Sequence, residues 1–138
     1  MKYLLEDDFE YDFKLVGISC HERDYRVCWG VNHQLSLSLS KQERPIEVFH
    51  KKNSRHSRHT LFSKVDLDTD QSIHLIVNRS QSGYLIPEQK HADYLLLIKG
   101  DDMFPFESVV KKLKSISFIL TAFTIEVSLL KSKRNLVF

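Results

Sequence analysis

Apolar Phe9, Tyr11, Phe13 and Leu15 alternate with Glu10, Asp12 and Lys14, which predicts a half-buried first strand running to about Ile18. Its aromatic face should turn inward. Ser19 to Asp24 break the alternation, and Tyr25, Cys28, Trp29, Asn32 and Leu35 then recur at helical spacing. They predict a helix whose stripe carries Trp29 into the core, the usual place for an aromatic at i, i+4 spacing. Leu35, Leu37 and Leu39 alternate with Ser36, Ser38 and Ser40, predicting a strand with a solvent-facing serine row. After a turn at Lys41 to Pro45, strands are expected at Ile46 to His50, Leu61 to Leu67 and Ile73 to Asn78, as an antiparallel meander.

The densest apolar run follows. Arg79 to Gly83 is a polar tip that closes a hairpin back into Tyr84 to Ile86, and Pro87 ends that extended piece because it fixes φ and lacks an N–H. From Asp93 to Lys99, Tyr94, Leu96 and Ile98 share one strand face and Leu95 and Leu97 the other, so both faces should be covered and this should be a central strand. Pro105 precedes Phe106, Val109, Val110, Leu113 and Ile116, which form an amphipathic helical pattern. Asp101, Asp102 and Glu107 sit near its start and Lys111, Lys112 and Lys114 near its end, which suits the helix dipole. Ile119 to Val127 alternate again. Strand, helix and strand over Asp93 to Val127 imply two parallel strands in one sheet, joined by a right-handed connection and not necessarily adjacent. Leu136, Val137 and Phe138 end the chain with an apolar group for docking on the core or on a neighbouring subunit. The expected architecture is one α+β domain over residues 1–138, with a mainly antiparallel sheet of about six or seven strands and two helices on one face.

Ile86, Pro87 and Glu88, followed by Asp93 and Tyr94, resemble the motif of the bacterial IPExxxVDY family, with Ala92 departing from its valine. Weaker likeness extends into the flanking strands and the Tyr25 to Leu35 helix. The resemblance implies a family without an assigned activity, so chemistry must be sought in the residues themselves.

Composition changes the picture in three respects. With 138 residues, 42% of them hydrophobic, the chain can bury a core without metal or disulfides. Cys20 and Cys28 are therefore expected to be free thiols in a reducing compartment. The acidic start, with Glu6, Asp7, Asp8 and Glu10, does not read as a secretory signal, and the longest apolar runs fall far short of the ~20 residues of a membrane helix. A cytoplasmic protein without membrane attachment is expected. The net charge of +2 makes no general case for nucleic acid, but the positive charge is clustered.

That cluster is His50 to His59, read as the tip of a long hairpin, where Lys51, Lys52, Arg55 and Arg58 are candidate phosphate contacts. It has no aromatic of its own beyond the adjoining Phe49, and a charged tip also serves solubility. His50, His56 and His59 are poor zinc ligands among four cations without cysteine or carboxylate partners, and no metal or other cofactor is expected. Glu88 and Asp93 offer an acid and a base at a Pro-fixed corner, with Asn78 and Arg79 as the nearest helpers, Tyr94 completing the motif and His91 lying within it. The alternative is local: Asp93 accepting backbone N–H groups, and Glu88 pairing with Lys90 or an arginine. No Walker loop, dinucleotide fingerprint, nucleophile elbow or Cys-X-X-Cys occurs. The expectation is a non-enzymatic module that binds another protein or itself, with nucleic-acid binding at residues 50–59 as the alternative and a small-ligand or catalytic pocket at the corner as a second one.

Overall fold

The computed structural model describes residues 12–100 and 106–138. The expectations for Phe9, Tyr11, the acidic start, Asp101, Asp102 and Pro105 lie outside the described residues. A six-stranded sheet has the order β10-β1-β9-β6-β5-β2, where β1 is Phe13–Ser19, β2 Ser40–Lys41, β5 Leu61–Asp66, β6 Gln71–Val77, β9 Tyr94–Lys99 and β10 Thr121–Ile125. Every pairing in it is antiparallel. Two short hairpins stand apart from it: β3 Ile46–His50 with β4 Arg55–His59, and β7 Arg79–Ser80 with β8 Gly83–Tyr84. The helices are α1, Asp24–Leu35, and α2, Phe106–Lys114. This is the α+β class read from the chain, with a mainly antiparallel sheet.

Strand β9 lies between β1 and β6, and its pleat divides the protein into two apolar layers. Tyr94, Leu96 and Ile98 join Val16, Ile18, Val27, Val31, Val109 and Leu113 in the layer beneath both helices. Leu95 and Leu97 join Leu15, Ile76, Leu85, Ile86, Ala92, Val127, Leu130 and Leu136 in the opposite one. Among the described residues neither α-helix covers that second face; the motif corner, the C-terminal segment and the inner side of β3 cover it instead. Strands β9 and β10 each run antiparallel to β1, so they are parallel to each other with β1 between them, as the strand-helix-strand reading requires.

Five expectations change. Strand β1 is not half-buried: with an apolar layer on each side, Leu15, Val16 and Ile18 are all inaccessible. Trp29 is not in the core. The buried stripe of α1 is Val27, Cys28, Val31 and Leu35, while Tyr25 and Trp29 are 66% and 63% exposed. The serine row does face solvent, but Leu35 to Leu39 form no strand. Ser36 takes a left-handed conformation that ends α1, the Leu37 N–H donates to the Asn32 carbonyl, and the Asn32 side chain brackets both backbone groups of Leu39 at 2.8 and 3.1 Å. The expected single meander is divided, because β3 and β4 pair with each other and not with the main sheet. The last strand is also shorter than its alternation, giving way to a 3-10 turn at Val127–Leu129.

Leu96 has no exposed surface and sits on the helix-covered side of the central strand. Leu96→Ala is expected to lower the unfolding free energy by roughly 2–5 kcal/mol in urea titrations. Leu67→Ala, at a side chain 89% exposed, should leave it unchanged.

Candidate functional site

The motif corner is assembled on one buried amide. Asn78 follows β6, is wholly buried, and uses every polar group it has. Its side-chain nitrogen donates to the carbonyls of Gln89 (3.0 Å) and Ala92 (2.8 Å), and its side-chain oxygen accepts the Ile86 N–H at 2.8 Å. Its own N–H donates to the Asp93 carbonyl, and its carbonyl accepts the Leu85 N–H, both at 2.9 Å. The segment from Leu85 to Asp93 is thus clasped at both ends, as a buried amide in an irregular loop demands.

The two motif carboxylates leave this corner in different directions. Glu88 reaches the C-terminal segment, where its oxygens accept the Ser132 N–H and hydroxyl, each at 2.7 Å. Burial alone would raise its carboxyl, but these bonds outweigh that and hold it below the usual range. The partner shown is therefore Ser132. Nearby, the Asn135 side chain donates to the Leu85 carbonyl at 2.9 Å, and Leu136 enters the core. Asp93 instead faces β1: one oxygen accepts the Cys20 N–H at 2.9 Å, and the other lies 3.7 Å from the Arg79 guanidinium. The Tyr94 hydroxyl donates to the Glu22 carbonyl, and burial pushes its pKa up.

Asp93, Arg79, Tyr94, His21 and Glu22 line a cavity of about 300 Å³ at this end of the sheet. Glu88 and Asn78 do not reach it, so the sequence-predicted set does not converge on one cavity, and His91 stands exposed elsewhere on the corner. Cys20 also lines the cavity, but its thiol donates to the Phe118 carbonyl at 3.4 Å, and burial raises its pKa. A thiol held protonated in this way is a poor nucleophile. Cys28 is likewise buried and free, pushed up to about 11 by burial.

The basic segment is not a single tip. The turn is confined to Lys51 to Ser54, and Arg55 to His59 form β4. Lys51, Lys52 and Arg55 are exposed, whereas Arg58 is held by Glu47 at 3.2 Å. His56 meets Phe49 on the outer face, while His50 and His59 turn inward and are bridged by Ser57. That bridge was not legible as a unit. Because the Val77 carbonyl only accepts, His59 Nδ1 must carry the proton of their 2.8 Å bond. Its Nε2 then accepts from the Ser57 hydroxyl at 2.7 Å, which in turn takes the His50 Nε2–H at 2.7 Å. A hydroxyl donating to a histidine is the arrangement of an activated serine, but Ser57 is only 1% exposed and both its bonds are internal. The arrangement ties β3–β4 to the end of β6. Gly83 of β8, at φ +152°, lets the small hairpin close over it, since a Cβ there would fall 2.6 Å from His50 Nε2. The signal in the sequence was the spacing of Ser57 and His59 on the inward positions of β4, which becomes informative only once the register is known.

No family model, curated protein or solved structure matches this chain. None of its described helices is long and apolar enough to cross a membrane.

Two outcomes follow from these contacts. Asn78→Ala leaves the Ile86 N–H and the Gln89 and Ala92 carbonyls without their partner, and should cost roughly 3 kcal/mol or more, at about 1–3 for each buried group stranded. Glu88→Gln, at the surface, should cost much less in the same denaturant titration. Burial also lowers the pKa of His59 and, with Lys99 adding to it, of His74 to about 4. Both histidines are thus held neutral when folded and take up protons more readily when unfolded. Stability should be full above the ordinary value of 6.5 and fall as pH drops from there towards 4, read as a declining urea midpoint. His74→Gln should flatten that decline.

Proposed function

We propose that the chain is a non-enzymatic cytoplasmic module that presents the outer face of α1 to another protein or to a second copy of itself. The observation that carries this reading is an aromatic stripe in the wrong place for a core. Tyr25, Trp29 and His33 follow at i, i+4 and i+8 on one helix face, and all three are exposed. The indole lies parallel to the His33 ring, with centroids 5.5 Å apart and planes within 5°. Arg26 stands beside them, set by Glu22 at 2.9 Å and by the Phe118 ring beneath its guanidinium at 4.9 Å. Trp, Tyr and Arg are the residue types that dominate the energetics of protein interfaces, where a few anchors carry most of the binding. Aromatic side chains of ~150–250 Å² each gain most from being covered.

The polar chemistry elsewhere supports a binding role over a catalytic one. Asn78 and Glu88 are committed to backbone or hydroxyl partners, Asp93 to the Cys20 N–H and the Arg79 guanidinium, and Ser57 and both thiols are buried. The two buried free thiols also fit a reducing compartment. Kinship with the IPExxxVDY proteins, resting on Ile86, Pro87, Glu88, Asp93 and Tyr94, belongs to the same reading.

Trp29 is the sole tryptophan, so its fluorescence reports on the face directly. Emission should be that of a water-exposed indole in dilute protein and shift to the blue as association proceeds. Trp29→Ala should weaken association about thirtyfold, the effect of an anchor worth ~2 kcal/mol, without lowering thermal stability. A strict monomer in light scattering, together with no protein retained from lysate in a Trp29-dependent way, would overturn the reading.

A further inference from the structure

The hairpin β3–β4 has two unlike faces. Inward, Ile46 and Val48 pack on the second apolar layer, and the His50, Ser57 and His59 chain fastens the hairpin to Val77. Outward, the register sets Glu47 opposite Arg58 and Phe49 opposite His56. The Phe49 and His56 rings are 4.9 Å apart and inclined by 49°, and Phe49 is 51% exposed. Lys51 and Lys52 follow directly in the turn and Arg55 opens β4, all three exposed and none in an ion pair with a carboxylate among the described residues. Residues 46–59 hold four cations against one carboxylate, a net +3 that exceeds the +2 of the whole chain. The one carboxylate, Glu47, is already engaged by Arg58.

We propose that the outward face of β3–β4 binds single-stranded nucleic acid, with the Phe49 and His56 rings stacking on an unpaired base while Lys51, Lys52 and Arg55 hold the adjoining phosphates. The cations alone would attract any polyanion. The ring pair narrows the choice, because an aromatic platform beside a cationic groove is what sequence-tolerant strand binding requires. Phe49 offers a duplex no donor or acceptor for a base edge, and the bases of a duplex are closed to stacking. A lipid surface would call for an apolar group of insertable size, whereas Phe49 is the lone apolar side chain among the outward Glu47, Phe49, His56 and Arg58. The inward hydrogen bonds hold the platform rigid, so little ordering is needed when a strand binds.

The test is fluorescence anisotropy of the full chain with labelled oligo-uridine and oligo-thymidine, a duplex of equal length, and anionic phospholipid vesicles as competitors. Binding of at least one single strand is expected, and no binding of either would overturn the proposal. The slope of log affinity against log salt should be about −2, at ~0.7 for each of three phosphates. Phe49→Ala should weaken binding about tenfold with that slope unchanged, and Phe49→Trp should restore it. Lys51→Ala combined with Lys52→Ala should make the slope shallower by about 1.4. All these positions are exposed, and coincident thermal unfolding confirms that each variant is folded. Wild-type affinity in Phe49→Ala, equal binding of the duplex, or full displacement by vesicles would each overturn the proposal. Loss of association through Trp29 would leave it untouched, since that residue lies on α1.

Discussion

The structure turns on the five hydrogen bonds of Asn78. Strand β6 ends there, and the chain must leave the sheet, form the β7–β8 hairpin, cover the second apolar layer with Leu85, Ile86 and Ala92, and return as β9. That excursion has little regular pairing of its own, so its backbone groups would be buried unpaired without a donor and acceptor at the centre. A side-chain amide supplies both at once, with two N–H groups and one oxygen in a rigid plane. Aspartate would put a buried carboxylate against two carbonyls, and leucine would strand three backbone groups. Because Asn78 also bonds the Asp93 backbone, the same residue sets where β9 begins, and hence the register of the central strand.

From that junction the motif reads as a fastener with two arms. Asp93 bonds the backbone at the end of β1 through Cys20, and Glu88 bonds the C-terminal segment through Ser132. The polar contact at Ser132 and the burial of Leu136 act together, since the first orients the segment that delivers the second. Two carboxylates five positions apart in sequence, Glu88 and Asp93, thereby serve different ends of the fold, and they share no cavity.

The sequence made β9 legible because a strand covered on both faces leaves an uninterrupted apolar run, and the two faces of Tyr94 to Ile98 divide between the layers as their alternation demands. It misled at α1 for an equally physical reason. Two stripes compete there, Tyr25 with Trp29 and Val27 with Val31, two residues out of phase and so on nearly opposite sides of the helix, and the larger aromatic residues outweigh the valines in any burial argument. Gly30 is the overlooked sign: a Cβ there would sit 2.6 Å from the Phe118 ring, so that side of the helix must be the packed one. The Leu35 to Leu39 alternation makes no strand, because the left-handed Ser36 turns the chain out of α1 and the Asn32 side chain takes up both backbone groups of Leu39. The separate β3–β4 sheet and the His50, Ser57 and His59 chain were out of reach, since alternation shows that a strand has an inner face without showing which layer it meets.

The position of these faces bears on how the protein can work. Helix α1 packs on the layer lined by Leu96, and β3 packs on the layer lined by Leu95 and Leu97. Successive residues of one strand point to opposite sides of a sheet, so the main sheet stands between the α1 aromatics and the Phe49 platform. A partner covering Trp29, as proposed, would therefore not compete for space with a strand lying on Phe49. The interior polar groups are spent on fixing irregular backbone, and that is why each outward face has a rigid backing: Val27, Val31 and Gly30 against the core under α1, and the Ser57 relay under the hairpin. With both faces rigidly backed, the two proposed surfaces would act as independent sites joined by a stiff core.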